Sequence, residues 1–369
     1  MAKTQPKKQL KVKMNIGSDL SKAMTSFKTA MTKKYSEGDE GLFYDHSKEG
    51  KLESIPTGSA VLDYLIGNGG LVTGRIHEIF GENSSGKSSL CTLLCANARR
   101  KYPDKFILYA DAEQACNISY MQSLGLDPIN DEGVIVLQSQ EINQVFDVIM
   151  NAVETGGFSL IIVDSVPALM TKRELNADFG QETMAEKARF LSSSIPKLLE
   201  LLNKNKTTLV FINQIRSKVS LYGGTTTAGG KALPFYCSTR IQVNSTPSMR
   251  IKLDETKYIG QTVEFTVAKN KVGPPFGVAE SNLYFGVGFD PLEELITIAK
   301  DKELIVRRGS IYDLPHDGIN ACKGNAEVIK FYNSNPDKLE ELRRLVNESD
   351  NKVSAEMIEK SQNNQIDEK

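Results

Sequence analysis

The sequence predicts an α/β fold, a mainly parallel sheet flanked by helices, with a helical arm before it and a small α/β lobe after it. Three observations carry that expectation. Apolar runs at 76–80, 106–110, 134–138, 160–163 and 209–213 alternate with helical patterns, the clearest at 184–202. Strands that are apolar on both faces and separated by helices belong to a parallel sheet covered on each side. The second observation is the octapeptide Gly81-Glu82-Asn83-Ser84-Ser85-Gly86-Lys87-Ser88, which lies between the first apolar run and a helical pattern. The third is the run 160–163 ending in Asp164, which delivers a carboxylate to the carboxyl end of a strand.

Taken in order, residues 1–17 are rich in lysine and aperiodic, so no fixed fold is expected there. Over 18–34, Leu20, Ala23, Met24, Phe27, Ala30 and Met31 recur at helical spacing. That stripe is too small to form its own core and must dock on another surface. A polar stretch leads on to residue 53. The segments 240–244, 263–268 and 283–286 read as further strands separated by turns, which predicts an antiparallel extension of the sheet. Beyond Pro291, short helices at 292–302, 325–332 and 338–346 flank a compact loop region at 310–324. The residues from 348 are polar, lack aromatics and are expected to be disordered. The expected divisions are an arm and linker (1–53), a main core (54–288), a small α/β domain (289–347) and a tail (348–369).

Composition narrows the function. A chain of 369 residues exceeds one usual domain. Its net charge of −1 means that any nucleic-acid surface is a local patch. No segment approaches the roughly 20 apolar residues that span a membrane, and the lysine-rich start lacks the apolar stretch of a secretory signal. Five cysteines without framework spacing point to a reducing cytoplasm. Cys91 and Cys95 are expected to pack. His46, His77 and His316 are scattered, and no structural zinc site is expected.

The octapeptide has the pattern G-x-x-x-x-G-K-[ST] in its proper place between strand and helix. A glycine-rich turn there leaves backbone N–H groups to cradle phosphates, from Gly81 through Ser85 and Gly86 to Ser89. Lys87 is expected to reach the β- and γ-phosphates of a nucleoside triphosphate, and the Ser88 hydroxyl to ligate Mg²⁺. Asp164 is expected beside the same metal, with Ser165 supporting its waters. The run 106–110 leads into Asp111-Ala112-Glu113, where one of two competing carboxylates would activate the attacking water. The run 209–212 ends in Asn213-Gln214. A neutral amide there can bond a γ-phosphate and lose that bond on hydrolysis, which makes it a sensor. The following loop carries Arg216, Lys218 and Lys231 around a glycine- and threonine-rich stretch, 223–230. Backbone N–H groups, hydroxyls and cations of that kind suit a nucleic-acid backbone. A second polar loop, 171–183, follows the Asp164 strand.

Together with Ile55-Pro56-Thr57-Gly58-Ser59, Gly74-Arg75-Ile76, Gly229-Gly230-Lys231-Ala232-Leu233 and Lys269-Asn270-Lys271, these segments resemble the bacterial RecA-type DNA recombinase family over 54–346. The resemblance implies a RecA-like P-loop core, ATP and Mg²⁺ as ligands, and a DNA-dependent ATPase that forms helical filaments on single-stranded DNA. Homologous duplex DNA would be the second partner in pairing and strand exchange, with single-strand-binding protein and loading factors as further candidates. It implies Glu113 as the catalytic glutamate, Gln214 as the amide coupling γ-phosphate to DNA, and Tyr120 as the aromatic on the adenine. Lys269 and Lys271 would reach the γ-phosphate of a neighbouring subunit. Loop 171–183 would be the first DNA loop, with Met184 and Arg189 at its end. Residues 216–230 would be the second, with Arg216, Lys218, Gly229 and Gly230 on DNA and Val219 wedged between base triplets. Phe235 would relay nucleotide state across the subunit interface, and the helix at 18–34 would dock on the adjacent subunit. Lys300, Lys302, Arg307 and Arg308 would gather duplex DNA. Asn83, Asn117 and Pro234 depart from the family's glutamate, aspartate and lysine.

Overall fold

Where the apolar runs are near-continuous, the chain forms strands buried on both faces, and the turns between them carry the polar residues. The computed structural model describes residues 16–35, 52–176, 184–217, 225–316 and 321–349. The chain divides into two units, Met1–Lys51 and Leu52–Lys369. The described part of the first is helix α1 (Ile16–Tyr35), on which Met24 and Phe27 are exposed. Lys33 and Lys34 sit in its last turn, where cations complement the carbonyl end of a helix.

The second unit opens with a two-stranded antiparallel pair, β1 (Ser54–Ile55) and β2 (Leu71–Val72), around α2 (Ala60–Ile66). There follow β3 (Ile76–Gly81), α3 (Lys87–Lys101), β4 (Phe106–Asp111), α4 (Ile118–Ser123), β5 (Val134–Leu137), α5 (Ile142–Glu154) and β6 (Phe158–Asp164). Next come α6 (Lys172–Asn176), α7 (Met184–Asn205), β7 (Thr208–Ser217), β8 (Thr225–Thr227), α8 (Ala232–Tyr236) and β9 (Thr239–Asn244). Strands β10 (Arg250–Lys252), β11 (Tyr258–Asn270), β12 (Val278–Tyr284) and β13 (Gly288–Phe289) lead to α9 (Pro291–Asp301). The last elements are β14 (Val306–Arg308), β15 (Ile311–Asp313), β16 (Ala321–Lys323), α10 (Gly324–Ser334) and a helix over 336–349.

The central sheet runs β13-β12-β11-β9-β3-β7-β6-β4-β5. From β9 to β5 every neighbouring pair is parallel, and β11, β12 and β13 add on antiparallel. The expected antiparallel extension therefore begins one strand later than the sequence suggests. The short helix α8 lies before β9, and it lets that strand return parallel to β3. Two further elements differ from expectation. Strand β7 continues past Asn213 to Ser217 and pairs with β8, so the root of the glycine–threonine loop is a ribbon. Its β-branched Ile215 and Thr225 to Thr227 favour a pleated pair over irregular chain. The region 310–324 holds two strands of an antiparallel sheet, β14-β15-β16. Strands of three residues are too short to show alternation in sequence.

Alternation across the pleat divides the core. Ile79, Ile107, Tyr109, Ile162 and Ile212 pack with Leu90 and Leu94 of α3 on one face. Ile76, Leu108, Ile161 and Phe211 pack with Ile149 of α5 and with Leu191 and Leu198 of α7 on the other. Each fully buried leucine or isoleucine contributes about 1.5–3 kcal/mol, so a sheet covered on both sides is rigid enough to hold catalytic groups at its edge. A third buried cluster joins Val61 of α2 to Ile296, Leu314, Val328, Tyr332 and Leu342. Glu294 of α9 fastens that cluster to the core. It accepts from Ser59 Oγ, from Ala60 N at 2.6 Å and from Ser281 Oγ at 2.8 Å. Among the described residues no helix is long and apolar enough to cross a membrane.

Candidate active site

The site is built where parallel strands end. Gly86, the last residue before α3, has φ +98°, and a Cβ there would lie 2.9 Å from Leu283 Cδ2. Only glycine takes that conformation in that space without strain. No side chain caps α3, so its first N–H groups need a partner from outside the helix, and an anion suits them. Lys87 is buried. Its Nζ donates to the carbonyls of Gly81 (3.2 Å) and Glu82 (2.5 Å) and reaches Ser85 Oγ at 3.5 Å. Burial pushes its ammonium pKa below the usual lysine range, while the carboxylates of Asp164 and Glu113 oppose the shift.

Ser88 Oγ donates to Asp164 Oδ2 at 2.9 Å, and the Tyr109 hydroxyl donates to the same oxygen at 2.7 Å. Burial raises the Asp164 pKa, opposed by those two hydrogen bonds. A hydroxyl beside a carboxylate suits Mg²⁺, which completes its shell with waters and phosphate oxygens. Among the described residues there is no group of three or more His, Cys, Asp or Glu side chains that could hold a metal by itself.

The two competing carboxylates after β4 are separated by their partners. Asp111 is buried, and its oxygens accept the N–H groups of Ala115 (3.2 Å) and Cys116 (3.0 Å), holding a turn. Glu113 is exposed, and its Oε1 accepts from Ser165 Oγ and from Gln214 Nε2, the latter at 3.5 Å. Ser165, expected beside the metal waters, thus orients Glu113. The two amides are likewise distinguished. Gln214 reaches Glu113, whereas Asn213 is buried and its Nδ2 donates to Glu78 Oε1 at 2.8 Å.

Tyr120 stands on α4 with its hydroxyl 3.1 Å from Ser89 Oγ. Asn117, a departure from the family pattern, caps that helix by accepting the Tyr120 N–H at 3.0 Å. A cavity of about 150 Å³ is lined by Ser88, Glu113, Asn117, Tyr120 and Asp164. A second, about 190 Å³, lies against residues 84–89 and is closed by Gln261, Leu283 and Phe285. Two larger hollows, about 750 Å³ along α5 and 620 Å³ between α2, β12 and α9, are open grooves that contain none of the residues lining those two cavities.

Lys269 and Lys271 do not join this group within the chain. The register places Lys269 opposite Arg240 on β9, and Arg240 is level with Glu78, three residues before Gly81. Lys269 Nζ donates to the carbonyls of Pro234 (2.7 Å) and Phe235 (2.8 Å). The Phe235 side chain is 70% exposed, which leaves it available to another molecule. Of the residues expected on DNA, Met184 begins α7, Arg189 is exposed on the same helix, and Arg216 lies near the end of β7. Gly229 has φ +88°, and a Cβ there would meet Leu191 Cδ1 of α7 at 2.7 Å. Gly230, next to it, also has positive φ. Lys218 and Val219, with most of loop 171–183, lie outside the described residues.

Sequence reading missed Tyr109, Gln261 and Phe285. Tyr109 sits inside a run that reads as apolar core, and its hydroxyl is the only polar signal it offers. Gln261 Nε2 donates to Ser84 O at 3.1 Å across 177 residues, so no local pattern marks it.

A family model described as the RecA N-terminal domain matches residues 22–290. Protein RecA of Streptomyces ambofaciens is 34% identical over 334 residues, covering 90% of this chain and 87% of that protein. Protein RecA of Rickettsia bellii is 35% identical over 305 residues, 82% of this chain and 86% of its own length. Protein RecA of Nocardioides sp. is 33% identical over 332 residues, 89% and 92% respectively.

Proposed function

The chain belongs to the RecA family of ATP-hydrolysing DNA recombinases, and on that premise we propose how its own residues perform ATP-driven DNA pairing and strand exchange. The observation that carries the reading is the hydrogen-bonded chain Ser165–Glu113–Gln214, which links the nucleotide cavity to the root of the glycine–threonine loop. Lys87 and the N–H groups from Gly81 to Ser89 would hold the triphosphate. Ser88 and Asp164 would hold Mg²⁺, which when bound neutralises charge on the β- and γ-phosphates. Glu113, oriented by Ser165, would position and deprotonate the attacking water. Tyr120 and Phe285 would flank the base.

Gln214 would bond the γ-phosphate before hydrolysis and lose that partner after it, changing the ribbon β7–β8 and the loop beyond it. Lys269 and Lys271 would act on the γ-phosphate of the next subunit, so that hydrolysis depends on assembly into a filament, with α1 docking on the neighbour. Met184, Arg189, Arg216, Lys218, Val219, Gly229 and Gly230 would hold single-stranded DNA by its backbone, leaving base pairing to read the homologous duplex. Residues 289–347 would gather that duplex, and single-strand-binding protein and loading factors would assist.

ATP hydrolysis measured with and without single-stranded DNA over a protein dilution series tests this reading. Strong stimulation that collapses on dilution is expected. Turnover indifferent to both DNA and dilution would falsify it.

A further inference from the structure

Glu78 is a fully buried carboxylate in the middle of β3, and both its oxygens are taken. Arg240 Nε donates to Oε2 at 2.5 Å, and Asn213 Nδ2 donates to Oε1 at 2.8 Å. The Arg240 guanidinium also lies 4.6 Å from the Phe80 ring centroid. The two partners then reach adjacent residues at the end of β8. Arg240 Nη2 approaches Thr227 Oγ1 at 3.5 Å. Asn213 takes both backbone groups of Ala228, donating to its carbonyl at 2.9 Å and accepting its N–H at 3.2 Å. The Asn213 oxygen accepts the Gln214 N–H as well, at 2.9 Å.

Arg240 stands opposite Lys269 in the β9–β11 register, and Lys269 holds the carbonyls of Pro234 and Phe235. We propose that Glu78, Asn213 and Arg240 are positioning residues. They form a buried clamp that makes the root of the DNA loop and the segment bearing Phe235 and Lys269 move together. The inference rests on the site reading above, in which Gln214 senses the γ-phosphate and Lys269 acts on the neighbouring subunit.

No member of the clamp can move alone. Removing one partner of a buried ion pair leaves an uncompensated charge, so the three side chains shift as a set or stay as a set. Displacing Thr227 and Ala228 when the loop grips DNA therefore pulls on Arg240 through one shared carboxylate. A pair that only fills the core would need no contact with Thr227 and Ala228.

The test is DNA-stimulated ATP hydrolysis by the full-length chain, read beside thermal stability and affinity for a fluorescent ATP analogue. Asn213→Ala removes the link to the loop without unpairing a charge. It is expected to bind the analogue like the parent and to lose about tenfold of the stimulation by single-stranded DNA. The double variant Glu78→Gln, Arg240→Gln removes both charges together, so it keeps more thermal stability than either single variant, and it is also expected to lose stimulation. Parent-like stimulation in Asn213→Ala overturns the clamp, as does an equal fall in analogue affinity, DNA-free turnover and stimulated turnover. Gln214→Ala is the control for the underlying reading. If Gln214→Ala keeps full stimulation, the sensor assignment fails, whereas loss in Gln214→Ala with none in Asn213→Ala removes the clamp alone.

Discussion

The two halves of the central sheet share one ladder of hydrogen bonds, yet they place their polar residues by different rules. In the parallel half, β3, β4, β6 and β7 all end at the same edge. At that edge Ser88 meets Asp164, Glu113 meets Gln214, and Ser88, Glu113 and Asp164 line one cavity. In the antiparallel half, β11 runs the other way, and Lys269 at its end is level with the middle of β3. Parallel strands gather their carboxyl ends into one crevice, whereas an antiparallel strand delivers its end elsewhere. The candidate site thus takes its charged groups from the parallel half and only a wall, Gln261, Leu283 and Phe285, from the other, whose Lys269 is held at the Pro234 and Phe235 carbonyls. The proposed role of Lys269 and Lys271 on a neighbouring subunit would use that separation.

Lys87→Ala strikes the parallel half at its centre and should lower ATP turnover by about 10³-fold or more. A rate near that of the parent would remove the crevice from the mechanism. Lys269→Ala and Lys271→Ala should cost on the order of 10³-fold, with nucleotide binding retained. Here mixing matters more than the single rates. Subunits carrying Glu113→Gln mixed with subunits carrying Lys269→Ala should recover part of the lost turnover, because each supplies what the other lacks. No recovery at any ratio would mean that the lysines act on the nucleotide of their own subunit.

Asp164→Asn should raise the Mg²⁺ concentration needed for half-maximal hydrolysis by roughly 10–100-fold, measured by metal titration at saturating nucleotide. An unchanged requirement would assign the metal to other groups.

The smallest effect on activity should come at the seam of the two halves, where His77 of β3 pairs in register with Thr239 of β9. Burial lowers the His77 pKa to about 4, partly opposed by its hydrogen bond to Val72 O at 2.9 Å. The folded chain thus resists a proton that the unfolded chain accepts below its ordinary value of 6.5. The stability this confers is complete above pH 6.5 and falls as the pH drops toward 4. With about 1.4 kcal/mol for each pH unit, the loss is about 3 kcal/mol. Denaturant melts from pH 7 to 4 should show that slope in the parent and a shallower one in His77→Gln. Identical slopes would mean that other groups carry the acid sensitivity.

Much of the fold was legible because its causes are local. Near-continuous apolar runs mark strands buried on both sides, glycine spacing marks the phosphate turn, and an aspartate after a run marks a strand end. The residues 310–324 were misread because three-residue strands carry too little pattern. The continuation of β7 past Asn213 was missed because polar residues in a ribbon look like those in a loop.

The class of sheet, the glycine turn after β3, the candidates at the strand ends and the family are all legible along the chain. These depend on spacing along the chain, which a periodic pattern records. The assembled fold separates Asp111 from Glu113 as candidate bases, because the Asp111 carboxylate is occupied by the turn at Ala115 and Cys116. It also decided that Asn213 faces inward to Glu78 while Gln214 reaches Glu113. Glu78 and Arg240 are 162 residues apart, and nothing in either local segment announces the other. A buried charge chooses its partner by position in space, and that is fixed only when the strands assemble.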